Sequence, residues 1–172
     1  AEHDELASAV LLTPSVDLAH KVKAEVIRQA ANTCRQEIIQ KALENNGVIA
    51  ITDDLEQAFN LSNQFAPEHL ELMIAEPFQW LSRVENAGAV FLGRYSPEPV
   101  GDYLAGPNHI LPTGGTARFY SSLGVDSFMK KTSLIAYTQA ALDETGSAIV
   151  KLAEVEGLTA HANAVRVRMQ QD

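Results

Sequence analysis

Between Ser15 and Asn46 the apolar positions fall at Val16, Ala19, Val22, Val26, Ala30, Cys34, Ile38 and Ala42, while Lys21, Lys23, Glu25, Arg28, Arg35 and Lys41 lie off that stripe. Steps of three and four residues predict one amphipathic helix, with Ser15 as its N-cap and Asn45-Asn46-Gly47 as its stop. Gly47–Thr52 is a short run rich in β-branched residues and predicts a buried strand. Asp53 and Glu56 then form a capping-box-like start for a helix running through Phe65. Leu70–Ala75 and Ala87–Gly93 predict further strands, with Pro77–Val84 as a short helix between them. Strands alternating with helices are the pattern of an α/β fold built on a mostly parallel sheet.

The pattern changes after Arg94. From Tyr95 to Thr116 the chain is rich in Pro and Gly and poor in periodic apolar positions, which predicts a long ordered loop. Loops of that length inside a compact domain are usually functional. Beyond it, Phe119–Leu123 and Ser133–Tyr137 are expected as strands. A helix is expected from Gln139 to Val155, broken at Gly157, with Thr159 capping a last helix to Met169. The shift near residue 124 predicts a boundary, giving residues 1–123 as a partial α/β domain and residues 124–172 as a C-terminal helical arm.

Composition narrows the partners. The 172 residues are 46% apolar and 20% charged, ordinary values for a globular chain, and Gly and Pro together make only about a tenth. With 13 basic against 22 acidic residues the net charge is −9, and no local basic patch offsets it. Such a chain repels nucleic acid and anionic lipid, which leaves a small molecule or another copy of itself as partner. The single cysteine, Cys34, cannot form an internal disulfide and suits a reducing compartment such as the cytoplasm. Its place on the apolar stripe predicts a buried, inert thiol. The longest apolar runs are far short of a membrane span, and no basic region precedes an apolar stretch as in a signal peptide. The chain opens without Met on Ala1-Glu2-His3, which suits Met removal and a piece of a longer protein equally well.

The candidate chemistry lies in five histidines and a few carboxylates. Glu68 and His69 are adjacent after Pro67, between a helix and a strand, where such a pair can supply a general base and a group that orients water. Successive side chains on a strand point to opposite faces, so the two can share a substrate only at a turn or bulge. Asp102 and His109 flank a glycine-rich stretch, and Glu156 and His161 straddle the final turn between helices. Each also has a plain structural reading: Asp102 as a turn residue, His161 as a packing residue beside Ala164 and Val165, His20 as a solvated one. Asp and neutral His suit zinc, but no two histidines share a helical metal spacing, so any metal site is assembled from distant segments. A histidine third from a free amino terminus, as His3 is, can also wrap Cu(II) or Ni(II) in a square of nitrogens.

Several motifs together are more specific. Ala1-Glu2-His3-Asp4, Phe65-Ala66-Pro67-Glu68-His69-Leu70, Gly101-Asp102-Tyr103 with Asn108-His109-Ile110-Leu111-Pro112-Thr113, Thr113-Gly114-Gly115-Thr116-Ala117-Arg118-Phe119 and Leu158-Thr159-Ala160-His161-Ala162-Asn163-Ala164-Val165 follow one another along the chain. In that order they resemble histidinol dehydrogenase, over roughly the C-terminal two-fifths of that family's polypeptide. The resemblance implies part of a Rossmann-like, mostly parallel sheet with flanking helices, followed by a small helical arm. It implies NAD-dependent oxidation of L-histidinol through the aldehyde to L-histidine, with bound zinc, in a cytoplasmic homodimer.

By the same resemblance His3, Asp102 and His161 match zinc ligands, and a further Gln ligand falls before Ala1. Glu68 and His69 match the acid–base pair, while His109, Asp102, Glu156 and His161 match substrate contacts. His161 and Glu156 are expected to act in trans, from the partner's arm. No Gly-x-Gly-x-x-Gly follows a strand, and Gly114-Gly115 is a poor substitute, so the NAD-binding residues are expected outside these 172 positions and the chain is expected to be inactive alone. Two other readings are a non-catalytic dimerisation or metal-binding module, and a related dehydrogenase for another polar alcohol.

Overall fold

The computed structural model describes residues 1–170. Ala1–Phe128 pack as one compact unit and the residues from Met129 onward as a second. In the first unit, β1 (Ala9–Thr13) and β2 (Gly47–Ile51) pair in parallel, with Val10 opposite Val48 and Leu12 opposite Ala50. A second parallel pair joins β3 (His69–Leu72) to β4 (Ala89–Leu92). Helices α1 (Val16–Ala30), α2 (Gln36–Asn46) and α3 (Leu55–Phe65) connect and flank the strands. The mixed α/β class with parallel pairing agrees with the alternation read in the sequence. No helix among the described residues is long and apolar enough to cross a membrane.

Several elements differ from the expectations. The helix predicted across Ser15–Asn46 is two helices separated by a turn at residues 31–35. Asn32 Nδ2 donates to the Arg28 carbonyl (2.8 Å) and Thr33 Oγ1 donates to the Ala30 carbonyl (3.1 Å), so side chains occupy acceptors that the next helical turn needs. Cys34 falls in that break and is exposed, not buried. Ser15 does cap α1, its hydroxyl accepting from the Leu18 amide. The cap of α3 is Asp54, one residue later than expected, and it accepts from the Gln57 amide (2.8 Å) while Gln57 Oε1 reaches back to the Asp53 amide.

Strand β1 is additional to the elements expected from the sequence, and Ala9-Val10-Leu11-Leu12-Thr13 before Pro14 is its signal. The expected buried strand β2 is mostly exposed, because among the described residues it pairs only with β1 and leaves one edge and part of one face uncovered. The stretch Tyr95–Thr116 is not all loop, since Glu98–Tyr103 form a short helix, α4. Pro99 is tolerated in its first turn, where an amide has no helical partner. Phe119–Leu123 and Ser133–Tyr137 are not strands. Neither finds a pairing partner among the described residues, and Phe119, Leu134 and Ile135 stand in solvent.

The core of the first unit is built from Ala19, Ile39, Ala42, Ala58, Phe59, Ala66 and Leu72. Phe59 on α3 stacks on Trp80 (5.4 Å between centroids, 2° between planes), which seats the 3-10 turn Pro77–Arg83 against α3. Buried Asn63 fastens the same helix to the segment entering β4. Its Nδ2 donates to the Arg83 carbonyl (2.9 Å), its Oδ1 accepts from the Glu85 and Asn86 amides, and its carbonyl accepts from Asn86 Nδ2.

The second unit contains the helical hairpin of α5 (Gln139–Val155) and α6 (Thr159–Met169). Gly157, at φ +74°, ends α5 in a Schellman arrangement: its amide reaches the Glu154 carbonyl and the Leu158 amide reaches that of Ala153. The cap of α6 is Leu158 and makes no side-chain bond, so Thr159 is the first helical residue and not the cap. Gly146 faces the Met169 side chain at a distance no Cβ would allow, and Ala153 and Ala162 fill the seam. Arg166 pairs with Glu154 across it.

Candidate active site

The site starts from the turn between α3 and β3. Helix α3 ends at Ala66, held at φ 54° with its amide on the Ser62 carbonyl (2.8 Å), and Pro67-Glu68 lead directly into β3. An alanine in the left-handed region costs about 1–2 kcal/mol, and the burial of its methyl and the anchored backbone around it hold it there. The Pro67 and Glu68 carbonyls accept from the Gly88 and Ala89 amides (2.9 and 2.8 Å). A Cβ at Gly88 would lie 2.6 Å from the Glu68 carbonyl oxygen, so only glycine lets this turn approach β4 so closely.

Strand alternation then sorts the side chains. His69 and Glu71 lie on one face of β3, and in register with them Ala89 and Phe91 lie on the same face of β4. Helix α4 packs on that face. Gly101 sits against the Phe91 ring, 2.7 Å from where its Cβ would be, and the Glu98 amide donates to Glu71 Oε1 (2.8 Å). Phe91 in turn packs tilted against the His69 imidazole, with 5.9 Å between centroids. Glu98 and Asp102, one helical turn apart, are thereby brought over His69.

The result is a cluster in which His69, Glu98 and Asp102 each offer a donor atom within 4.8 Å of the others, the one such group among the described residues. His69 Nε2 faces Glu98 Oε1 at 3.7 Å, and both atoms are shut off from water without a hydrogen-bond partner. An unmet buried polar atom costs about 1–3 kcal/mol, so two of them facing one another mark a site held ready for something. Burial pushes the Glu98 carboxyl above its ordinary range and the adjoining Asp102 carboxyl raises it further, while the charges of His69 and His3 act against the rise. His3 therefore lies near enough for its charge to be felt at the cluster. Its own carbonyl is held by Arg35 Nη2 (3.3 Å), and Glu5 pairs with Lys41 (2.7 Å), which ties the N-terminal arm to the region of α2.

The other residues named from the sequence are placed as follows. Glu68 lies on the bend before β3, half-buried, and its carboxylate makes no hydrogen bond among the described residues. His109 is exposed in the segment after α4, next to the turn in which Asn108 Oδ1 accepts from the Ile110 amide (2.8 Å). That segment is followed by the turn at Gly115, where Arg118 reaches back to the Gln64 carbonyl at the end of α3. Glu156 and His161 belong to the second unit, both exposed, at the C-cap of α5 and in the first turn of α6. Glu98 and Glu71 were not singled out by sequence reasoning. The signal for Glu98 was its spacing of four from Asp102, hidden by prolines that read as loop.

Nitrogen and oxygen donors gathered in this way are of the kind zinc takes, and Asp102 is the one member of the cluster that the resemblance matches to a zinc ligand. A dinucleotide is not matched in the same manner. Gly114 and Gly115 lie in a turn followed by a 3-10 segment, not between a strand and a helix.

The family model described as histidinol dehydrogenase matches residues 1–169. A histidinol dehydrogenase of Heliobacterium mobile is 56% identical over 169 residues, covering 98% of this chain and 40% of that protein. One from Caldanaerobacter subterraneus subsp. tengcongensis is 54% identical over 172 residues, covering the whole chain and again 40% of the relative. The crystal structure of histidinol dehydrogenase from Elizabethkingia anophelis superposes with a TM-score of 0.80 at 38% identity, over 99% of this chain and 39% of that one. The chain spans about two-fifths of the length of the relatives it matches. With a matching family model along nearly all of its length and relatives more than half identical over the same residues, the chain belongs to the histidinol dehydrogenase family.

Proposed function

We propose that this chain is the zinc- and substrate-binding part of an enzyme that oxidises L-histidinol through the aldehyde to L-histidine with NAD, the closing steps of histidine biosynthesis in the cytoplasm. The observation that carries this reading is the cluster of His69, Glu98 and Asp102 beside the Glu68 turn, in a chain more than half identical to histidinol dehydrogenases. Residues 1–123 supply the zinc and acid–base groups, and residues 124–172 form a dimerisation arm.

His69 takes the carbinol proton as hydride leaves the same carbon for NAD, and Glu68 activates the water that adds to the aldehyde. Asp102 and His3, with His161 of the partner subunit, would hold zinc, which when bound would supply a Lewis acid that helps orient histidinol. His109, and Glu156 of the partner subunit, contact substrate and select histidinol over other polar alcohols. The residues that hold NAD lie in the remaining length typical of the relatives.

The test is NAD reduction by the family-length enzyme with histidinol and with other amino alcohols, together with calorimetric binding of histidinol before and after zinc is stripped. Turnover restricted to histidinol, and binding lost with the metal, support the reading. Equal binding by the stripped protein removes the metal-anchoring role, and zinc-dependent binding without turnover in the family-length enzyme favours a non-catalytic metal-binding module.

A further inference from the structure

His69 and Glu98 face one another with complementary atoms that nothing else satisfies. Nε2 of the imidazole and Oε1 of the carboxylate are 3.7 Å apart, both closed to water and both without a hydrogen-bond partner. The separation is longer than a hydrogen bond, and catalytic hydrogen bonds are often long in an unloaded site and tighten when substrate arrives.

Glu98 is held from several sides. Its amide donates to Glu71 Oε1 (2.8 Å), and Glu71 stands on the same face of β3 as His69, two residues on. Helix α4 is drawn against the sheet because Gly101 presents no side chain to the Phe91 ring, and that ring also packs on His69. Backbone, ring and imidazole are thus fixed relative to one another before any ligand binds. The Glu98 carboxyl also adjoins Asp102, so it lies between that carboxyl and the imidazole, with Oε1 the oxygen that faces Nε2.

We propose that Glu98 is the positioning residue of His69: its carboxylate accepts the Nε2–H, which fixes the tautomer in which Nδ1 carries the lone pair. This rests on the reading of His69 as the acid–base group. In the step concerned, the carbinol O–H bond breaks and its proton goes to Nδ1, while the hydride passes to NAD and the carbinol becomes the aldehyde. Glu98 keeps the Nε2–H through the step and faces the imidazolium so formed. The nitrogen that meets substrate is therefore the one turned away from Glu98, as in other sites where an orienting carboxylate selects the tautomer of a histidine.

The experiment compares Glu98→Gln, Glu98→Ala and His69→Asn in the family-length enzyme, reading kcat, KM for histidinol, bound zinc by mass spectrometry and histidinol binding by calorimetry. Glu98→Gln keeps size and removes charge. The expected result is a kcat lower by ~10²-fold in both Glu98 variants, with KM, zinc content and histidinol binding little changed. The double variant Glu98→Gln/His69→Asn is expected to be no slower than His69→Asn alone, since the two act as one unit. Wild-type kcat in Glu98→Gln overturns the proposal in favour of a packing role, and loss of zinc in that variant overturns it in favour of a ligand role. A double variant far slower than His69→Asn shows that Glu98 works independently and likewise overturns it. If His69→Asn itself turns over like wild type, the acid–base reading fails first, and the two failures are told apart.

Discussion

At the scale of single residues, the one imidazole and two carboxylates of the cluster are expected to divide between proton chemistry and metal binding. On the proposed roles, changing His69 to Asn in the family-length enzyme takes away a base and leaves the ligands in place, so kcat is expected to fall ~10²–10⁴-fold with zinc retained. On the same proposal Asp102 is a carboxylate ligand, so changing it to Ala is expected to lower zinc content. Zinc content by mass spectrometry beside kcat checks both, and zinc lost from His69→Asn shows that the roles are exchanged. Glu68, His69 and Asp102 were legible in the sequence because they sit in distinctive local strings. Glu98 was not, since its meaning depends on a helix whose prolines read as loop and on the pairing of β3 with β4. Cys34 erred the other way: its spacing fits the stripe, but Asn32 and Thr33 divert the backbone acceptors and turn the thiol out to solvent.

At the scale of elements, the position of the Glu68-His69 turn depends on how α3 is fastened. Asn63 supplies the fastening through four hydrogen bonds of its side chain and backbone to residues 83–86. Asn63→Ala leaves buried backbone groups unmet and is expected to destabilise the first unit by about 2–3 kcal/mol, read from urea unfolding. An unchanged midpoint shows that the turn is held by the sheet alone. Helix α1 gives a pH prediction. The Arg28 guanidinium and then the Gln29 amide hold the Glu25 carboxyl down at about 2 from an ordinary 4.5. A lowered carboxyl contributes stability above 4.5 that is lost as pH falls toward 2. Both side chains are in solvent, so the effect is small, and it is expected as a decline in α1 amide protection over that interval which Glu25→Gln abolishes. The bounds of α5 and α6 were readable because glycine and the helical period act locally. Strands at 119–123 and 133–137 were wrongly expected because an apolar run becomes a strand only with a distant partner, which no local pattern contains.

At the scale of the whole chain, the surface carries many exposed apolar side chains. No large side chain is fully buried among the described residues. On the β1–β2 pair, Val48, Ile49 and Ile51 are each about half exposed or slightly less, and in the second unit Leu134, Ile135, Leu152 and Val155 stand largely in water. Scattered exposed apolar residues are ordinary, but several on one strand, on α5 and in the segment before it are the kind of surface that association covers. The chain also spans only about two-fifths of its relatives and carries no dinucleotide fingerprint. The expected behaviour follows from both facts: the 172-residue chain alone self-associates and reduces no NAD with histidinol, whereas adding the remaining family-length portion as a separate polypeptide restores turnover. Intact mass spectrometry under denaturing conditions comes first, because a second polypeptide already present in the sample would make any activity that of a nicked enzyme. With one polypeptide confirmed, NAD reduction by this chain alone would mean that its own loops bind the dinucleotide. Failure of the added portion to restore turnover would mean that the two parts cannot assemble once separated, and that the exposed face of β1–β2 is covered only when the sheet folds as one continuous chain.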